Sequence, residues 1–432
     1  MLSRRLFSGA TGFQIVTVEP KLGDIVVDWS EHYAAREGRM RTSEVRELLK
    51  LLDQPDIISF AGGIPDAGLF PRQAIAEMFE RVLNDPVRGS NALQYAVSEG
   101  YLPLREWLAA EMRRQGVAGC AADNILITNG SQQALDFVGK LFISPDDTIL
   151  VAYPTFLGAL QAFNAYEPQY DVLPGPENNR TPESYLAAGR RKPKFGYCMP
   201  EFQNPTGTTL DLAERDRLLD TAEALNLPLI EDSAYEKLRY DGARAPSLLA
   251  LATERAGGID RCKVIYCGTF SKSIAPGLRV GWIVAPRPVV EKLVLIKQAS
   301  DLHTSGLNQI VMHEVASTII ESQAELVRPV YKARRDAMLQ ALAAHMPEGV
   351  TWTRPEGGMF VWVTLPEAID GAELLRRSIA ETRVAFVPGA GFFPDRSGTR
   401  YIRLSFSLNE LPRIEEGIAR LGALVRAMAS GV

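Results

Sequence analysis

Cysteine and histidine are both scarce, with four of each in 432 residues. Cys120, Cys198, Cys262 and Cys267 show no Cys-x-x-Cys spacing, which excludes a zinc ribbon or a thioredoxin-type motif and argues against a disulfide framework. They fit reduced, buried thiols. His32, His303, His313 and His345 lie too far apart in sequence for a metal signature. No apolar run approaches the roughly 20 residues that a bilayer span needs. Positive charge is not in excess either: 47 basic against 52 acidic residues give a formal charge of -5. That balance leaves no footprint for nucleic acid or an anionic membrane. Internal repeats and low-complexity tracts are also lacking. What remains is an ordinary globular composition, 46% hydrophobic and 23% charged, long enough for two domains.

The N-terminus reads in two ways. Met1-Leu-Ser-Arg-Arg-Leu-Phe-Ser8 bears Arg and Ser, and the first acidic residue is Glu19, which is the composition of a transit peptide. The favoured reading is a plain arm over residues 1–41 of a cytoplasmic protein, with the mitochondrial matrix as the alternative. The chain then turns amphipathic. Over Thr42–Leu52, Ser43 is a plausible N-cap, and Val45, Leu48, Leu49 and Leu52 share a face. Ile57–Gly63 reads as a short strand ending in a glycine pair.

From about residue 71, apolar strand candidates alternate with helical segments. The strands are 125–128, 148–152, 194–197, 227–231, 264–266 and 281–284, and the helices include Ser131–Phe142 and Leu212–Leu225. This alternation predicts an α/β domain with a mostly parallel sheet covered on both faces. A long helical stretch follows at about 289–345. Gly357–Thr364 and Tyr401–Phe406 then alternate like strands with one covered face. The expected organisation is a large domain over 71–319 and a smaller α+β domain from 42–70 and 320–432.

One stretch, Cys267–Trp282, carries the most chemistry. Lys272 lies on a loop between two strands, and Arg279 follows seven residues later. Burial between strand ends lowers a lysine's pKa and frees a nucleophilic amine suited to a Schiff base. An Arg on the same loop can grip a phosphate in bidentate fashion. Together they suggest pyridoxal phosphate (PLP). Gly130-Ser131-Gln132 opens a helix directly after a strand, which makes an anion site or a plain capped turn. Asp232 ends an apolar strand and could pair with a pyridinium nitrogen, with neighbouring Glu231 as its rival. Asn204-Pro-Thr-Gly207 could aim an amide at a ring hydroxyl or simply initiate a turn. Arg403 alternates with Ile402 and Leu404, so it is either solvated or bound to a carboxylate across a cleft.

Gly130-Ser-Gln132, Pro154-Thr-Phe156, Asn204-Pro-Thr-Gly207, Asp232-x-x-Tyr235, Ser271-Lys272, Pro276-Gly-Leu-Arg279 and Arg403 occur in this order. The set resembles the fold-type-I, PLP-dependent aminotransferases from about Thr42 to the C-terminus. The resemblance implies Lys272 as the Schiff-base and proton-transfer lysine and Asp232 on the pyridine nitrogen. It implies Asn204 and Tyr235 at the ring oxygen, with Phe156 stacked on the ring. Ser131, Gln132, Thr269 and Arg279 would hold the phosphate, joined by Tyr95 from the other subunit of a homodimer. Arg403 would bind the substrate α-carboxylate.

Ser43-x-x-Arg-Glu-Leu-Leu-Lys50, Phe60-Ala-Gly-Gly63, Leu93-Gln-Tyr95 and Ala299–Thr304 resemble the branch of 2-aminoadipate and kynurenine/aminoadipate aminotransferases. That branch implies Gly63, Arg46 and Ser43 beside the substrate, with Arg46 meeting acidic side chains. The implied partners are an amino acid and a 2-oxo acid. Other outcomes on the same lysine, β-elimination or decarboxylation, remain alternatives, as does specialisation for aromatic or arylglycine donors. A PLP-sensing transcription regulator would need roughly 70 or more basic, helical residues ahead of this region. Only about 40 precede Thr42, and they include Asp24, Asp28, Glu31 and Glu37.

Overall fold

The computed structural model describes residues 28–40, 56–175, 180–187 and 191–430. Strand β1 (Ile58–Ser59) is followed by seven strands that form one sheet. They are β2 (Ile125–Thr128), β3 (Thr148–Val151), β4 (Gln169–Val172), β5 (Gly196–Cys198), β6 (Leu229–Ser233), β7 (Val264–Thr269) and β8 (Gly281–Val284). The order across the sheet is β2-β8-β7-β6-β5-β3-β4. Strands β4, β3, β5, β6 and β7 pair in parallel, and β8 runs antiparallel to both β7 and β2.

The inner strands are apolar without alternation because both faces are covered. Along β7, Val264 and Tyr266 join one core cluster, with Leu229 of β6 and Ile125 and Ile127 of β2. Ile265 and Cys267 join the other, with Ile230, Leu126 and Ile283. Helix Ser131–Phe142 covers the second face with Ala134, Leu135, Phe137 and Val138, an i, i+3, i+4 stripe. Helices Leu102–Arg114 and Leu248–Ala256 cover the first. All four cysteines are free and buried.

A second sheet is antiparallel, in the order β12-β13-β10-β9: β9 (Thr351–Trp352), β10 (Phe360–Thr364), β12 (Val387–Pro388) and β13 (Tyr401–Ser405). β11 (Val384–Ala385) pairs in parallel with β1, tying residues ahead of the large sheet to this C-terminal region. Helix Leu411–Ala429 packs on helix Gly306–His345.

Helix Gly306–His345 runs continuously for 40 residues across the expected 319/320 boundary. Three features differ from the sequence expectation. The helical stretch 289–345 is two helices, Arg287–Ser300 and Gly306–His345, broken where Leu302 takes a positive φ of 64° and Ser305 caps the second. β4 escaped notice because it is a half-exposed edge strand with no apolar run. β10 and β13 have two covered faces rather than one, since the face expected to be polar packs toward the large sheet. Among the described residues no helix is long and apolar enough to cross a membrane.

Candidate active site

The parallel strands β2, β6 and β7 all end on one edge of the large sheet, where open α/β folds bind their ligands. The amino end of antiparallel β8 lies on the same edge: Gly281 pairs with both Thr128 and Thr269. This register brings the Gly130–Ser131 turn, the Asp232–Ser233 strand end, the Lys272 loop and Arg279 together from distant sequence positions. Lys272 Nζ donates to the Gly63 carbonyl at 3.3 Å. Burial of the amine, with the positive charges of Arg279 and Arg403 nearby, lowers its pKa to about 8. A lysine so placed has a substantial neutral fraction near neutral pH.

Asp232 and Glu231 part company here. Both are buried, but Glu231 lies on the face opposite the site and spends its oxygens on the start of helix Leu248–Ala256. They accept from the N–H of Leu248 at 3.2 Å and of Leu249 at 2.9 Å. Asp232 Oδ2 accepts from the Tyr197 hydroxyl at 2.9 Å, and its Oδ1 is buried without a partner. Burial raises the Asp232 pKa to about 6. A buried carboxylate oxygen without a donor is costly, and a cationic N–H would relieve that cost. Tyr197 was not foreseen from sequence. The signal was present, since a tyrosine in a fully buried strand needs a partner for its hydroxyl.

Tyr235 joins this carboxylate to the far wall of the cleft. It is buried near Asn204, and it feels the charges of both Asp232 and Arg403. Asn204 Oδ1 accepts from Arg403 Nη1 at 2.9 Å, and the Ala61 carbonyl accepts from Nη2 at 2.9 Å. Arg403 is buried at 3% exposure, so the solvated alternative is overturned. Its guanidinium lies over the Phe360 ring at 4.3 Å and near Phe392 at 5.2 Å. Nε has no partner, and no carboxylate pairs with this guanidinium among the described residues. Burial lowers its pKa to about 10. A Cβ on Gly63 would meet Phe360 at 2.8 Å and lie 3.7 Å from Arg403, so only glycine leaves this wall open.

The strand-to-helix turn makes a second concavity. Gly130 has φ 78°, and a Cβ there would fall 2.4 Å from Arg279 Nη2, the space between turn and guanidinium. Arg279 donates to the Asn129 carbonyl at 3.1 Å and to the Pro276 carbonyl at 3.3 Å. Ser131 opens the helix, whose first N–H groups have no partner within the helix. Thr269 Oγ1 donates to Ser271 Oγ at 2.9 Å and accepts from the Ser271 N–H at 3.2 Å. Gln132 Nε2 bonds the Gly158 carbonyl at 2.7 Å, and a Cβ on Gly158 would strike the Phe156 ring at 2.5 Å, so Phe156 and Gln132 adjoin.

Tyr95 stands apart. It is 80% exposed, edge-on to His303 at 5.9 Å. Ser43, Arg46 and the helix expected over Thr42–Leu52 lie outside the described residues. Of the arm, the described part is exposed except Arg39, which is half-buried and donates to the Pro168 carbonyl at 3.0 Å.

The family profile "Aminotransferase class I and II" matches residues 55–421. The chain belongs to this family. Among curated relatives of this aminotransferase, the 2-aminoadipate transaminase of Thermus thermophilus is 42% identical, over 93% of this chain and 98% of the relative. An aromatic-amino-acid aminotransferase of Thermococcus litoralis is 39% identical, over 95% and 97%. A crystal structure of an alpha-aminoadipate aminotransferase from Thermus thermophilus, complexed with N-(5'-phosphopyridoxyl)-L-leucine, superposes with a TM-score of 0.84. It is 40% identical and covers 94% of this chain and 100% of its own. The protein is a PLP-dependent transaminase of fold type I. Its residues fit that cofactor: an orphaned carboxylate oxygen on Asp232, an amine of depressed pKa on Lys272, and a cradle at Gly130 that a side chain would fill. Bound there, PLP supplies an electron sink and amine carrier that no side chain offers.

Proposed function

We propose that this aminotransferase takes the amino group of L-amino acids, among them 2-aminoadipate, glutamate, aromatic and leucine-like donors, and passes it to a 2-oxo acid such as 2-oxoglutarate. The observation that carries the reading is Arg403: a buried guanidinium with an unpartnered Nε, facing Asn204 and the Gly63 wall, is a ready partner for an α-carboxylate. The substrate breadth is supported by relatives named for 2-aminoadipate and for aromatic amino acids.

Local geometry supports the following roles. Arg403 and Asn204 fix the carboxylate end, which directs the substrate's Cα–H toward Lys272. Lys272, poised near neutral pH, takes the proton from Cα. With PLP bound, Asp232 would hold the pyridine nitrogen, Tyr235 and Asn204 would hold the ring oxygen, Phe156 would pack against the ring, and Ser131, Gln132, Thr269 and Arg279 would hold the phosphate. Arg403→Lys keeps the charge but loses the planar fork. It should lower kcat/KM for every donor by roughly 10- to 150-fold, the worth of one charged hydrogen bond, mainly through KM. An unchanged KM would place Arg403 away from the substrate.

The working unit in this reading is a homodimer. Tyr95 is exposed, as are Val87, Leu93, Val97 and Leu102 close to it in sequence, apolar side chains that a second copy of the chain would cover. Tyr95 would complete the partner's phosphate site. Mixing inactive Lys272→Ala with a Tyr95→Ala variant should restore up to about a quarter of native activity, from heterodimers with one intact site. No recovery after verified subunit exchange would contradict a shared site.

Substrate range tests Arg46, assigned here to the distal carboxylate of acidic donors, with Ser43 shaping the same pocket. Arg46→Ala should cut kcat/KM for aminoadipate and glutamate by about 10- to 150-fold and leave leucine and phenylalanine nearly unchanged. Equal losses on both donor types would assign Arg46 to the fold or the arm.

A further inference from the structure

An ion pair with one buried and one partly exposed partner lies directly behind the Asn129–Ser131 turn. Lys297, on helix Arg287–Ser300, is fully buried, and its Nζ donates to Asp301 Oδ1 and Oδ2 at 3.0 and 3.1 Å. It also donates to Gln133 Oε1 at 3.0 Å. Asp301 Oδ2 accepts from Asn129 Nδ2 at 2.5 Å and from Gln133 Nε2 at 2.8 Å. Gln133 Oε1 in turn accepts from the Asn129 N–H at 2.9 Å. Asn129 is therefore held twice, by its side chain and by its amide. Its carbonyl is the acceptor for Arg279, and its neighbour is Gly130. Both walls of the cradle thus hang on a single network.

A buried amine is an expensive way to fill a core. Desolvating the Lys297 charge costs much of what its attraction to the half-buried Asp301 returns, and an apolar side chain of similar volume would serve stability as well. Directional restraint is what the charges add. Arg279 needs such restraint, being exposed and, among the described residues, bonded otherwise only to the Pro276 carbonyl of its own loop. A flexible Arg on the surface would have to be ordered each time an anion binds.

We propose that Lys297 and Asp301 are positioning residues that hold the Asn129–Ser131 turn and Arg279 in the geometry a phosphate monoester requires. The inference rests on reading that turn as the phosphate site of PLP. Neither residue touches the phosphate; both act through Asn129 and Gln133. Asp301 is the C-cap of helix Arg287–Ser300, one turn after Lys297, and this i,i+4 spacing places the two side chains on one face of the helix.

The test uses cofactor-free native protein, Lys297→Met and Asp301→Asn, each titrated with PLP, with pyridoxal lacking the phosphate, and with inorganic phosphate. Both variants should bind PLP and phosphate about 10- to 100-fold more weakly, the effect of one or two misdirected hydrogen bonds, and bind pyridoxal within about threefold of native. Asp301→Asn preserves shape and volume, so it reports on geometry even where Lys297→Met unfolds. Equal weakening of PLP and pyridoxal would mean the pair only supports the fold, and native phosphate affinity in Asp301→Asn would also overturn the proposal. A native protein that binds PLP no more tightly than pyridoxal would instead sink the phosphate-site reading itself, leaving the two failures distinguishable.

Discussion

Lys272→Ala should lower kcat/KM for every amino donor by at least about 10⁴-fold, the upper end of what one general acid–base group contributes. The protein should still fold, because among the described residues Lys272 makes a single hydrogen bond, to the Gly63 carbonyl, and its charge is poorly solvated between Arg279 and Arg403. Removing a desolvated cation from beside two others relieves repulsion, so the melting temperature should hold or rise. Borohydride treatment of the native protein should attach the cofactor covalently to the Lys272 peptide, and mass spectrometry of the digest reads the mark directly. A variant that still turns over amino acids at the native rate would remove Lys272 from the chemistry.

Asp232→Ala ranks second. Deleting one partner of a buried charged pair costs about 3–5 kcal/mol, because the remaining cation is stranded. Turnover should fall roughly 10²- to 10³-fold, with weaker PLP binding, as the ring loses the carboxylate that keeps its nitrogen protonated. Glu231→Ala is the matched control, one residue away and equally buried. Its two acceptor bonds go to the first N–H groups of helix Leu248–Ala256, so its loss should resemble a lost helix cap. About 1–2 kcal/mol of stability should disappear, with activity per folded molecule retained. Thermal melts and steady-state rates on both variants separate the roles; the reverse pattern would exchange the two carboxylates.

Sequence reasoning reached most of these residues because their chemistry is local. A lysine between two apolar strands and a carboxylate closing a third are visible without knowing how the strands pair, and so is a Gly-Ser opening a helix. What it could not reach depends on distance in space. The choice between Asp232 and Glu231 turns on which face of β6 carries each side chain, and alternation alone does not say which face meets the ligand. The burial of Arg403 depends on the C-terminal sheet closing over the large one, a contact between residues 61, 204 and 403 that no window of sequence contains. Tyr197 and the Lys297–Asp301 pair are in the same position. Each reads as an ordinary strand or helix residue until the register places it behind the site. The half-exposed strand β4 and the break at Asp301–Ser305 were missed because neither has a strong pattern of its own.

The reaction itself is the central claim, and a half-reaction tests it most directly. Purified protein loaded with PLP is mixed with one L-amino acid in the absence of any 2-oxo acid acceptor, and the products are counted. Amino transfer predicts one equivalent of the matching 2-oxo acid per site, no free ammonia and no carbon dioxide, with the amino group retained on the cofactor until an acceptor is added. Catalytic release of ammonia or carbon dioxide would contradict the account and assign the same lysine to elimination or decarboxylation.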